Sequence, residues 1–138
     1  MSKETGVGVI LINVMEEVLL ILRDNNPAIP FPGKWDLPGG HPEGNETPEK
    51  TIRREIQEEM EIDLTGFDLF NAYEWDDFRE IIFWKKLNLI PEQITLHEGQ
   101  KLAYFSRRQI NSMDLAFHNN RVLEDFFEFY ELISGTEK

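Results

Sequence analysis

No cysteine occurs anywhere in the 138 residues. That excludes disulfides and thiolate metal sites, and it makes a reducing cytoplasm the expected compartment. Basic residues are scarce: 14 Lys and Arg against 26 Asp and Glu give 14 − 26 = −12. A balance of that sign argues against non-specific binding to nucleic acid or anionic membrane, which needs basic patches. Long apolar runs are also missing. The run "VGVILINVM" near the N-terminus falls far short of the roughly 20 residues that span a bilayer. The first residues lack the signal-peptide order of basic region, apolar core and small-residue cleavage site. Internal repeats, low-complexity tracts and a linker are absent as well. The expectation is one cytoplasmic domain over residues 1–138, without a nucleic-acid or membrane partner. A homodimer stays open.

What is present reads as strands mixed with two main helices. "GVGVILIN" and "EVLLILRD" are short Val, Ile and Leu runs that suit a pair of strands, possible partners in a hairpin. "NNPAIPFPGKW" carries three prolines and reads as a functional loop. "FDLFNAYEW" and "EIIFWKKLNLI" read as two strands across a turn at "DDFR", and "LAYFS" as another strand. Ser106 is a candidate cap for a short helix, and "NNRVLEDFFEFYELI" is a final amphipathic helix. This mixture predicts a layered α/β or α+β domain.

The clearest helix starts at Pro48, after Thr47 as N-cap, and runs to about Met60. Ile52, Ile56 and Met60 recur every four residues as its core stripe. On a wheel with Ile52 at 0°, Glu55 falls near about 300°, Glu58 near about 240° and Glu59 near about 340°. The three carboxylates thus form one patch beside the core stripe. Such like charges repel by a few tenths of a kcal/mol per pair. A solvated acidic face and a site for a hard divalent cation both fit this spacing. The upstream stretch "LPGGHPEGNE" favours the second, because its glycines let backbone approach a ligand closely.

Together these residues resemble the signature of the Nudix hydrolases. Gly40 is followed after five residues by Glu46, and seven residues later come Arg54, Glu55, Ile56, Gln57, Glu58, Glu59, Met60, Glu61 and Ile62. One specified position departs: the family's glycine near the end of the motif is Glu61 here. The glycine ends the helix in a left-handed conformation, so a glutamate there is expected to be strained or to alter the helix end.

The resemblance implies an α/β/α sandwich with a mixed β-sheet. It also implies hydrolysis of a small nucleotide carrying a diphosphate linkage, with Mg²⁺ or Mn²⁺ as cofactor. By motif position, Glu55, Glu58 and Glu59 are the implied metal ligands, together with the carbonyl of Gly39. Arg54 is the implied orienting residue, with Glu46 as its structural partner and Gly40 as the motif's first glycine. "HEGQKLAYF" resembles a segment of the MutT-like branch, which makes Glu98 a further candidate metal ligand or base. Asn119 matches a base-recognising position, although capping the last helix is the favoured reading for one of Asn119 and Asn120. Trp35 and Phe83 are candidates for stacking on a base, with core packing the favoured reading of each. The favoured substrate is a nucleoside or deoxynucleoside triphosphate, oxidised forms included, cleaved to the monophosphate and pyrophosphate. An ADP-ribose-type nucleotide sugar is the alternative, although residues 75–79, "WDDFR", lack the proline of some ADP-ribose-specific members. A non-catalytic nucleotide-binding module is the reading from another class. The three histidines show no ligand spacing and receive no role.

Overall fold

The computed structural model describes residues 4–135. The outermost residues of the expected 1–138 domain lie outside them. β1 (Glu4–Ile12) and β2 (Val18–Leu22) form the expected antiparallel hairpin, with Ile12 opposite Val18. Two short strands follow, β3 (Trp35–Asp36) and β4 (Gly39–Gly40). Helix α1 covers Pro48–Met60. β5 (Asp68–Glu74) and β6 (Phe78–Lys86) form a second antiparallel pair. β7 (Lys101–Phe105), the short α2 (Arg107–Ile110) and α3 (Asn119–Ile133) complete the order.

The strands make one mixed sheet, in the order β3-β2-β1-β6-β5, with β4 also on β1 and β7 also on β2. β1 and β6 run parallel from Glu4 opposite Phe78 to Ile12 opposite Lys86, and the other pairings are antiparallel. Alternate residues of β1 and β2 feed opposite faces. Val9, Leu11, Leu19 and Ile21 pack under α1 against Ile52, Ile56 and Met60. Ile10, Ile12, Leu20 and Ile82 pack under α3 against Val122, Leu123 and Phe126. The sheet between two helical layers is the α/β/α sandwich. Ile52 and Ile56 are fully buried, and burial of each stabilises the helix's seat by about 1.5–3 kcal/mol. Among the described residues no helix is long and apolar enough to cross a membrane.

Both main helix starts inform the sequence reading. Thr47 accepts a hydrogen bond from the Lys50 amide at 3.2 Å, as an N-cap should. Ser106 forms a capping box with Gln109 at α2. At α3 the cap position is His118, which makes no side-chain cap bond. The capping role offered to Asn119 or Asn120 therefore falls to neither. Asn120 accepts from the Leu115 amide and donates to the Met113 carbonyl, fastening the turn before the helix.

Glu61 keeps the left-handed conformation at φ 57° and ψ 38°, and its amide donates to the Gln57 carbonyl at 3.0 Å. The helix therefore ends where a glycine would end it, with the strain left in place.

Candidate active site

The close packing of β4 explains its two glycines. A Cβ on Gly39 would lie 2.0 Å from the Val7 carbonyl oxygen, where β4 presses against β1. A Cβ on Gly40 would lie 2.2 Å from the carboxyl carbon of Glu55. Gly40 thus lets a carboxylate of α1 rest against the strand backbone.

Arg54 organises the acidic residues around it. Its Nε donates to Glu46 Oε2 at 2.7 Å and its Nη2 to Glu46 Oε1 at 3.0 Å, a two-pronged pair. Nη2 also donates to the His41 carbonyl at 2.9 Å. Nη1 reaches Glu55 and Glu58, each at 3.2 Å. The Arg54 hydrogen bonds hold the Glu46 carboxyl down at about 2, helped by the Glu43 amide. The carboxylates in turn raise the guanidinium's affinity for its proton. Glu46 also accepts from Thr51 Oγ1 at 3.0 Å, tying the loop to the first turn of α1.

The three helix glutamates do not share one environment. Glu58 is exposed and engaged by Arg54. Glu55 and Glu59 turn inward and meet Glu98, which comes from the loop before β7. One carboxylate oxygen from each of Glu55, Glu59 and Glu98 lies within 4.8 Å of the others. Glu59 is 5% exposed, and its Oε1 has no hydrogen-bond partner among the described residues. Burial pushes its carboxyl up, and the charges of Glu55 and Glu98 push in the same direction. Burial also raises Glu55, against the pull of Arg54. A buried acceptor-only oxygen beside two more carboxylates suits a hard cation that prefers oxygen ligands. The residues present therefore fit a divalent metal.

The loop bearing Glu98 is fastened on both sides. The His97 amide donates to the Glu59 carbonyl at 2.9 Å, and the His97 ring is hydrogen-bonded to the Glu61 carboxylate. The Gln100 amide donates to the Leu22 carbonyl at 2.8 Å, and its side chain donates to the Arg23 carbonyl at 2.8 Å.

A cleft of about 280 Å³ joins these parts, lined by Gly39, Gly40, Glu55, Glu59 and Glu98 and also by Arg23, Asp36 and His41. Sequence reasoning passed over Asp36, a lone acid in a two-residue strand. Burial raises its carboxyl, although Arg23 Nη1 donates to it at 2.9 Å. Asn119 donates through Nδ2 to Asp36 Oδ1 at 2.6 Å and is itself buried. One of its two Nδ2 hydrogens is thereby engaged by Asp36, while its buried Oδ1 has no hydrogen-bond partner among the described residues.

Trp35 and Phe83 line neither this cleft nor the cavity beside it. Trp35 packs edge-on against Phe105, with ring centroids 4.8 Å apart. Phe83 is buried on the α1 face of the sheet, edge-on to Phe67 at 5.1 Å. Both sit in packing positions, the favoured of their two readings, and neither is placed to stack on a ligand in these cavities.

Residues 2–126 match the model of the NUDIX domain, and the chain belongs to that family. Among curated relatives it is similar to an ADP-ribose pyrophosphatase of Methanocaldococcus jannaschii, 31% identical over 120 residues, covering 82% of this chain and 67% of that protein. It is also similar to an 8-oxo-dGTP diphosphatase of Proteus vulgaris, 48% identical over 44 residues, which is 32% of this chain and only 39% of that protein. A solved MutT structure, from work on Aliivibrio salmonicida and Vibrio cholerae, superposes with a TM-score of 0.74 at 22% identity. It covers 90% of this chain and 96% of its own, a likeness of fold.

Proposed function

We propose that the chain is a divalent-metal-dependent hydrolase of phosphoric anhydrides acting on a small nucleotide. A nucleoside or deoxynucleoside triphosphate, oxidised forms included, is the favoured substrate. The observation that carries the reading is the convergence of Glu55, Glu59 and Glu98, with a buried Glu59 oxygen left unpartnered among the described residues. Local 48% identity to an 8-oxo-dGTP diphosphatase supports the triphosphate.

In this reading Glu55, Glu59 and Glu98 hold Mg²⁺ or Mn²⁺. The bound ion would polarise phosphoryl oxygens and offset the charge of a polyphosphate beside a −12 protein. The Gly39 carbonyl is a further candidate ligand, since Gly39 lines the same cleft. Arg54 bridges Glu55 and Glu58 through Nη1 and anchors the loop through Glu46. Glu58 then acts from the exposed flank, through Arg54. In the reaction, the oxygen of water bonds to phosphorus and the bridging P–O bond breaks. The proton of the water passes to a carboxylate, for which Glu98 at the exposed end of the cluster is the candidate. The products are the monophosphate and pyrophosphate.

A second reading, hydrolysis of an ADP-ribose-type nucleotide sugar, is favoured by the longer similarity to an ADP-ribose pyrophosphatase. The same chemistry serves both. Turnover of triphosphates and nucleotide sugars, measured with Mg²⁺, with Mn²⁺ and with chelator, separates them. Turnover that survives the chelator would sink the metal-dependent mechanism.

A further inference from the structure

A second cavity, of about 450 Å³, lies against the carboxylate cleft and shares Asp36, Gly39, Gly40 and His41 with it. Its apolar lining includes Phe31, Phe78 and Phe117. The Phe31 and Phe117 centroids are 4.6 Å apart, those of Phe78 and Phe117 5.8 Å. A cavity walled by rings suits a flat heterocycle, which can stack or meet the rings edge-on.

Glu80 also lines this cavity, and its polar chemistry sets it apart. It is 9% exposed. On β6, Phe78, Glu80, Ile82 and Trp84 alternate onto the α3 face of the sheet, so the acid stands in a row of otherwise apolar side chains. Trp75 Nε1 donates to one carboxylate oxygen at 3.0 Å. The other oxygen has no hydrogen-bond partner among the described residues. Burial pushes the carboxyl up, and the Asp36 charge adds to that. A carboxylate can accept several hydrogen bonds, so this one has room for a further donor on the cavity side.

The neighbouring polar groups leave that donor to a ligand. Asp36 is an acceptor already engaged by three donors: Asn119 and the Leu37 amide donate to Oδ1, and Arg23 donates to Oδ2. Arg23 also spends its Nε on the Pro30 carbonyl and lies 5.2 Å over the Phe117 ring. Asn119 has given one of its two Nδ2 hydrogens to Asp36.

We infer that this cavity takes the heterocyclic ring of the nucleotide and that Glu80 accepts a hydrogen bond from an amino group on that ring. The inference rests on the nucleotide reading above and adds to it a class of base. Amino-bearing rings, as in guanine, adenine and cytosine, are bound in preference to matched rings without the amino group or with a carbonyl in its place. A carbonyl oxygen would face the carboxylate oxygen with no hydrogen between them. A site built to hydrogen-bond an N–H rejects the analogue lacking it far more strongly than an apolar pocket rejects a misfit of shape.

The test is equilibrium binding of nucleoside monophosphates, which lack the anhydride and need no turnover. GMP against IMP, AMP against IMP, and CMP against UMP are compared by calorimetry in Mg²⁺. The expected result is at least tenfold tighter binding of the amino member in at least one pair. Glu80→Leu should abolish that preference, and Glu80→Gln, which adds a donor, should narrow it by improving the carbonyl member. Glu80→Gln keeps the test sound if the leucine variant does not fold. Equal affinity within every pair, a preference unchanged by both substitutions, or no binding of any monophosphate overturns the inference. Triphosphate turnover is scored separately. Its absence beside an intact amino preference overturns the hydrolase reading alone.

Discussion

The Glu61 carboxylate and the His97 ring form a hydrogen-bonded contact that joins the left-handed end of α1 to the loop carrying Glu98. The family's glycine position thus holds a strained residue whose side chain faces the loop of a candidate ligand. Strain of roughly 1–2 kcal/mol works against the residue. Even as an ion pair, such an exposed contact returns only about 0.2–1 kcal/mol. The strain is the larger of the two, and the Glu59–His97 backbone bond is independent of the Glu61 side chain. Glu61→Gly is therefore expected to gain about 0.5–1 kcal/mol in denaturant unfolding and to keep its activity. A loss of stability exceeding 1 kcal/mol would mean that the pair holds the loop more strongly than exposure suggests.

Gly40 makes a sharper geometric prediction. Gly40→Ala places a methyl group where the Glu55 carboxyl rests. The carboxylate must move, since the strand backbone cannot. Turnover should fall at least tenfold with the far-UV spectrum unchanged. Activity within twofold of the parent would show that the Glu55 position in the cleft is not required.

Arg54 contacts Glu46 with two nitrogens and also reaches His41, Glu55 and Glu58. Lysine is a single flexible point charge and cannot reproduce that fork. Arg54→Lys should lower kcat at least tenfold, nearly as much as Arg54→Ala. Recovery of parental kcat by lysine would reduce the role of Arg54 to charge alone.

The carboxyls make stability depend on pH in two directions. Glu59, raised above 4.5 by burial, binds its proton more tightly in the folded chain. Its contribution is therefore lost as pH rises from 4.5 through the folded value. Glu55, Asp36 and Glu80 shift the same way. Glu46, lowered to about 2, stabilises above 4.5 and loses that contribution as pH falls toward 2. Above 4.5 the metal-free chain should therefore lose stability with rising pH, and Mg²⁺ or Mn²⁺ should restore more of it at higher pH. Thermal unfolding across that range with and without metal checks this. A metal-induced gain that shrinks as pH rises would contradict it.

Much of this arrangement was legible in α1 itself. The wheel put Glu59 beside Ile52 and Glu58 farthest from it, and the structure buries the first and exposes the second. Local spacing could not say that Glu55 and Glu59 meet Glu98, because the loop's position depends on the β2–β7 pairing far along the chain. Asp36 and Glu80 were missed for the same reason: each is a single acid placed by sheet register. Phe83, named as a stacking candidate, and Phe78, which lines the cavity, show the limit most clearly. Alternation along β6 separates the two faces, but only the packed sheet shows which face meets the cavity.

The central claim is that Glu55, Glu59 and Glu98 together hold a divalent cation. Mn²⁺ titration of the parent and of Glu59→Gln, by calorimetry without nucleotide, tests it most directly. Glu59→Gln removes a charge that its neighbours repel, so the metal-free variant should be at least as stable as the parent. The account predicts Mn²⁺ binding to the parent and at least a tenfold weaker affinity in the folded variant. Equal affinity in the two, or no binding to the parent, would contradict it.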